Sequence, residues 1–229
     1  MLSVASTPLE RGGGTTVVHF FADPSCPWSW MTSRWLAAAA PQRRLDVRWR
    51  SFSVALRDHG TLSPDIPQPY REAARAGRAM SVRALRLFEA VRAECGEAAV
   101  GHLYTEIGRR LFQPGRPPAA PAADLLGVAL AASGLDEQLE VNADDSRWDA
   151  AVAASTEEAL AVVGQDAESP SIILDGEIRR GMSGPIVSPP PGGELGLRLW
   201  DAFRTLLDEP RFFEVRRARR FPPQFPTDL

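Results

Sequence analysis

The apolar pattern divides the chain into three stretches. Thr15 to Phe21 (TTVVHFF) is β-branched and aromatic and predicts a buried first strand. It breaks at Asp23-Pro24. After Cys26-Pro27, Trp30, Met31, Arg34, Trp35 and a run of alanines predict a helix that stops at Pro41. Pro27 suits the first turn of that helix, where a missing N–H is not needed. Leu45 to Phe52 alternates apolar and polar residues and predicts a second strand. The three together make a β-α-β unit, a parallel pair with a right-handed crossover.

From Pro64 to about Gly164 the period changes to that of helices. Met80, Leu85, Phe88 and Val91 mark one apolar face, and Val100, Leu103, Tyr104, Ile107 and Leu111 mark a second. Pro121 opens a third segment with Leu125, Leu126 and Leu130, which Gly134 closes. Asp145 or Ser146 caps a further helix through Trp148, Val152 and Leu160. Strands then return. Ser171 to Leu174, Asp175-Gly176 and Glu177 to Arg179 predict a tight hairpin, since Asp-Gly suits a type I′ turn. A Pro/Gly loop at 189–193 precedes a last helix, Glu194 to Leu207, with Leu199, Trp200, Phe203 and Leu207 on one side. The predicted class is α/β. Residues 1–14 form a flexible leader, 15–60 and 165–229 one discontinuous sheet domain, and 61–164 an all-helical insertion.

Composition narrows the classes of function. With 229 residues, 44% of them apolar, the chain can build a full core. A net charge of −3 offers no global field for nucleic acid or an anionic membrane. No stretch approaches the roughly 18 apolar residues of a membrane span, and the start of the chain lacks a secretory pattern. The expected location is the cytoplasm. Every basic side chain apart from three His is Arg, a bias of GC-rich coding. Gly12-Gly13-Gly14 lacks the Lys-Ser/Thr of a phosphate loop, and two Cys with three His make neither a disulfide framework nor a metal site. The 216–220 Arg run reads as a solvated tail.

The chemistry concentrates in Asp23-Pro24-Ser25-Cys26-Pro27-Trp28-Ser29-Trp30. A cysteine between a strand and a helix start meets unpaired N–H groups and the positive end of the helix dipole. Both favour the nucleophilic thiolate, so a pKa below the free value of about 8.5 is expected. A buried, inert Cys is the plainer reading of an isolated cysteine, and the strand–Cys–Pro–helix context weighs against it. Ser169-Pro170, just before a strand, is the expected partner. A cis bond there would expose the Ser169 backbone to an extended thiol ligand. Cys95, before Gly96 at a helix end, reads as structural, with a long-range bond to Cys26 as the alternative.

These features resemble the thioredoxin superfamily, in its DsbA-like branch with a helical insertion. Asp23-Pro24 with Cys26-Pro27-Trp28, Thr32 to Trp35, Gln68 to Glu72, Gly184 to Ser188, Leu199 to Ala202, Phe212 to Arg216 and Pro222 to Phe225 are similar to the mycothiol-dependent nitroreductases of high-GC Gram-positive bacteria. The resemblance runs from about Val17 to Phe225. It implies a thioredoxin-like fold and a reductase that takes electrons from the small thiol mycothiol as co-substrate, with no tightly bound cofactor. That family carries Cys-Pro-Trp-Cys, and here Ser29 replaces the second cysteine. Cys26 then works through a mixed disulfide that a second small thiol resolves, with Ser29 as a hydrogen-bond donor.

Pro27, Trp28, Ser169, Pro170, Tyr70 and His59 are the expected thiol- and substrate-binding residues. Trp28 and Tyr70 also read as packing aromatics, and His59 as a solvated loop residue. His19 falls in a strand and His102 in a helix. Two other functions remain open. One is a thiol transferase or isomerase resembling the kappa-class glutathione transferases and hydroxychromene-carboxylate isomerases, which need no resolving cysteine. The other is a non-catalytic binding protein.

Overall fold

The computed structural model describes residues 14–62, 64, 66, 68–112, 121–218, 221 and 223–225. The expected leader up to residue 13, and Arg219, Arg220 and Pro222, lie outside the described residues. The first elements are β1 (Thr16–Ala22), α1 (Pro27–Arg43), β2 (Leu45–Ser51) and the short α2 (Val54–Arg57). Then come α3 (Arg71–Cys95), α4 (Glu97–Leu111), α5 (Leu125–Ala132) and α6 (Asp149–Val163). β3 (Ser171–Leu174), β4 (Arg180–Ser183) and α7 (Gly193–Asp208) close the chain.

One four-stranded sheet has the order β2-β1-β3-β4. β1 and β2 are parallel, with Thr16 opposite Leu45 and Ala22 opposite Ser51. β3 runs antiparallel to β1, and β4 antiparallel to β3. The pleat of β1 divides the core, because successive side chains point to opposite faces. Val18, Phe20 and Ala22, with Ile172 and Leu174 of β3, join a large core that takes in α1, α3, α4, α5 and α7. Phe21 and Ile173 join Phe52 and Ala159 of α6 in a smaller cluster. The larger core therefore passes from sheet to helices without a break, and α6 joins both clusters, through Val152 in the larger and Ala159 in the smaller.

Local details differ from the expectations in three places. Helix α1 does not stop at Pro41 but runs to Arg43, where Arg44 at φ 51° donates its N–H to the Ala40 carbonyl. Proline removes the bond to the carbonyl four residues earlier, on Ala37, and that residue is exposed. The hairpin is wider than a two-residue turn: Leu174 pairs with Arg180, leaving 175–179 as its loop. Asp175 is drawn instead into bonds with His19 Nε2 at 2.9 Å and Arg179 Nε at 3.1 Å. On α7 it is Leu197, not Leu199, that is buried with Trp200, Phe203 and Leu207.

Cys95 does end α3, where Gly96 at φ 88° lets α4 begin at the next residue. Its thiol is free and exposed rather than packed. Among the described residues no helix is long and apolar enough to cross a membrane.

Helix α4 closes on α1 through a glycine. Trp30 is fully buried, with ring centroids 6.2 Å from Tyr104 and 6.0 Å from Phe112, and Gly108 lies against its six-membered ring. A Cβ at position 108 would overlap that ring, which has no free space to move into. Gly108→Ala is expected to cost about 1–3 kcal/mol despite the better helix propensity of alanine. Denaturant unfolding checks this, as a fall in midpoint at unchanged slope.

Candidate active site

The site forms where β1 hands over to α1. Asp23 follows β1 with no exposed surface. Its Oδ1 accepts from Ser25 N at 2.8 Å, Ser25 Oγ at 2.7 Å and Ser81 Oγ at 2.6 Å. Its Oδ2 accepts from Val54 N at 3.0 Å. One carboxylate thus gathers the cysteine loop, the start of α2 and the middle of α3. Cys26 N donates to the Asp23 carbonyl at 3.0 Å, closing the turn, and the Cys26 carbonyl accepts from Trp30 N at 3.1 Å as the first helical bond. Cys26 is the N-cap of α1, with Pro27 next.

Ser169 meets this loop from before β3. Its peptide bond to Pro170 is cis. The Ser169 hydroxyl accepts from Asp23 N at 2.7 Å and pairs with Ser29 Oγ, also at 2.7 Å. The Ser169 carbonyl accepts from Cys26 Sγ at 3.4 Å. With Asp23 N–H already donated to it, the Ser169 hydroxyl has its own proton to give to Ser29. Ser29 then has a proton to offer toward the sulfur. Behind Ser169, the Pro170 carbonyl accepts from Gly184 N at 2.7 Å, and Thr32 Oγ1 donates to the Pro185 carbonyl at 2.7 Å.

The sulfur departs from expectation. Burial pushes the Cys26 thiol pKa up, and the Asp23 charge adds to this. The Ser29 hydroxyl and the backbone N–H groups of Ser29 and Trp28 pull it down, but by less. The helix start therefore does supply the stabilising N–H groups that the sequence suggests. Partial removal of the sulfur from water, beside a buried carboxylate, outweighs them. The contact to the Ser169 carbonyl fits the protonated form, because only a thiol has a proton to donate.

Cys26, Ser29, Ser169 and Pro170 are brought together, and Pro27 and the half-buried Trp28 continue the helix from the sulfur. Tyr70 and His59 stand apart. Tyr70 is 45% exposed in the turn before α3, and His59 is exposed at φ 49° in the turn after α2. No described side-chain contact joins either to Cys26.

Three further residues have roles here that the sequence does not assign. Asp23 was signalled by an acidic residue directly after a buried strand. Ser81 was hidden in the apolar run of α3. Arg34 lies with its guanidinium 4.2 Å from the Trp30 ring, bonded to Ser33 Oγ and Thr105 Oγ1 at 3.1 Å each. It has no carboxylate partner among the described residues, and burial pulls its pKa down to about 10. Tyr104 beside it is pushed up, chiefly by burial. Among the described residues no group of three or more His, Cys, Asp or Glu is placed to hold a metal ion.

The profile of the Rv2466c-like family, described as mycothiol-dependent nitroreductase Rv2466c, matches residues 25–217. The chain belongs to this family. An uncharacterized Mycobacterium tuberculosis protein, Rv2286c, is 28% identical over 217 residues, covering 93% of this chain and 85% of that one. Two solved structures share the fold. A probable DsbA oxidoreductase from Streptomyces coelicolor superposes with a TM-score of 0.55 at 19% identity, covering 82% of this chain and 89% of that one. A hydroxychromene-carboxylate isomerase superposes with a TM-score of 0.51 at 17% identity, covering 82% and 94%. The fold is thus the thioredoxin-like fold of the DsbA branch with a helical insertion, and the chain is a thiol-dependent oxidoreductase.

The thiol's environment sets its pH dependence. Alkylation of Cys26, measured in a Cys95→Ser background, is expected to rise with pH through a midpoint above about 8.5, the value of an ordinary thiol. Asp23→Asn removes one charge that disfavours thiolate, so its midpoint should move to lower pH. The same substitution turns an amide N–H toward Val54 N–H and should cost about 1–3 kcal/mol of stability. Iodoacetamide rates against pH, with urea unfolding of the same proteins, check both.

Proposed function

We propose that this chain is a mycothiol-dependent reductase in which Cys26 alone carries the covalent chemistry. The observation behind this reading is the arrangement at Ser169: one sulfur on its carbonyl, and a serine hydroxyl on its side chain where a second thiol would be needed. A hydroxyl closes no disulfide. In the exchange half of the cycle, the Cys26 thiolate attacks an acceptor disulfide, forming a mixed disulfide and releasing one thiolate. Mycothiol thiolate then attacks that mixed disulfide and restores Cys26. For a nitro acceptor, Cys26–SH and one mycothiol together supply two electrons and two protons. The products are the nitroso compound, water and the Cys26–mycothiol disulfide, which a second mycothiol resolves.

In this reading Ser29 donates to the sulfur as thiolate forms, and Pro27, Trp28, Ser169 and Pro170 border the bound thiol. Tyr70 and His59, away from the sulfur, are reserved for larger ligands. The reaction belongs to a reducing cytoplasm, where small thiols are kept reduced. A transferase or isomerase reading has one observation in its favour: Ser29 itself, a hydroxyl near the bound thiol's position, on a fold shared with a hydroxychromene-carboxylate isomerase.

Mutants separate the two. Under the monothiol cycle, Cys26→Ser loses turnover entirely. Ser29→Ala keeps measurable turnover, down about tenfold or somewhat more, as the loss of one hydrogen bond to a charged sulfur worth about 1.5–3 kcal/mol implies. Ser29→Cys converts the oxidised form from a small-thiol adduct to an internal disulfide, seen by intact-protein mass spectrometry after oxidised mycothiol. Loss of activity in Ser29→Ala equal to that in Cys26→Ala would favour the transferase. Full activity in Cys26→Ala would remove both.

A further inference from the structure

A groove of about 410 Å³ opens between α3 and the segment that follows α2, and its polar lining is almost all arginine. Arg71, Arg75 and Arg78 line it at helical spacing, with no carboxylate among the described lining residues. Arg78 is pinned in place, Nη1 donating to the Thr61 carbonyl at 2.5 Å and Nη2 to Asp58 Oδ2 at 2.7 Å. Asp58 must also serve Arg57, whose Nε lies 2.7 Å from its other oxygen. One negative charge is therefore shared by two guanidinium groups. Arg75 is exposed and pairs with no carboxylate among the described residues. Arg75 thus adds an exposed cation to the groove on a chain whose total charge is −3. Ala55 and Leu62, with Ala79 and Val82 of α3 itself, add an apolar part to the lining.

On two sides the groove's lining is one residue removed from a contact with the cysteine loop. Val54, which donates to Asp23 Oδ2, is followed by Ala55 of the groove. Gly77, where a Cβ would stand 3.7 Å from Ser25 Cβ, is followed by Arg78 of the groove. We propose that this groove takes the carboxylate or phosphate of an anionic, partly apolar acceptor substrate whose reducible group is directed at Cys26. The proposal deepens the reductase reading and rests on it for the redox step. Its volume suits a small aromatic acid, and guanidinium groups recognise carboxylate and phosphate alike.

Two measurements test it. The first needs no chemistry: Cys26→Ala protein is titrated calorimetrically at low salt with para-nitrobenzoate and with para-nitrobenzamide. The anion should bind more tightly, weaken with added salt, and lose about fivefold on Arg75→Gln. Para-nitrophenyl phosphate in a third titration separates phosphate from carboxylate preference. The second uses Cys95→Ser protein with the anionic dithiobis-nitrobenzoate and the neutral dithiodipyridine. In each case the Cys26 thiolate forms one mixed disulfide and releases one coloured thiolate. The ratio of anionic to neutral rate should fall about fivefold in Arg75→Gln and stay unchanged in Arg211→Gln, a surface arginine outside the groove. Equal binding of acid and amide, with no effect of Arg75→Gln on either measurement, overturns the groove. Arg75-dependent binding of the acid without reaction of either disulfide supports the groove and removes the reductase reading instead.

Discussion

The buried carboxylate of Asp23 is the point on which the rest of the site depends. β1 must end somewhere inside the protein, and at that end four donors from three different segments need an acceptor. A buried N–H or hydroxyl without one would cost about 1–3 kcal/mol each, so the segments converge on the carboxylate. Its backbone N–H meanwhile donates to the Ser169 hydroxyl, 146 residues away in sequence. The cysteine loop, the helical segment and the strand after it are in this way fixed to one residue. The sulfur's place against the Ser169 carbonyl follows from that convergence.

The same convergence explains why much of the fold was legible and part of the site was not. Strand β1 has a run of β-branched and aromatic residues that fits few other structures, and Trp30, Trp35 and Trp200 bury where their helical spacing puts them. Pro27 and Pro170 are local signals that bracket the sulfur. The hairpin failed because the choice between a two-residue turn and a five-residue loop was made by His19 and Arg179, both outside the Asp-Gly pair. Leu199 failed because α7 faces α1 through Gly196 and Trp200, a rotation that periodicity alone does not set. The direction of the Cys26 shift failed for a related reason. Helix-start N–H groups are visible in sequence, whereas desolvation is a property of the packed site.

That direction has a consequence for a cycle with a single protein thiol. A thiol of raised pKa is ionised less at neutral pH, but each thiolate it yields is intrinsically more nucleophilic, with a Brønsted coefficient of about 0.4–0.5. The first step, attack on an acceptor, therefore loses less than the ionised fraction alone implies. The second step runs the other way. When a small thiol attacks the mixed disulfide, Cys26 is the leaving group, and a poorly acidic thiol leaves slowly. A protein with a neighbouring second cysteine escapes this by letting that cysteine attack within the molecule. In the proposed cycle Ser29 offers instead a proton, its oxygen being paired with the Ser169 hydroxyl that accepts from Asp23 N–H. A hydrogen bond of that kind stabilises the departing thiolate at the moment its charge appears. Under the proposed cycle, the serine that ends the two-cysteine route would assist the step that the loss of the second cysteine slows.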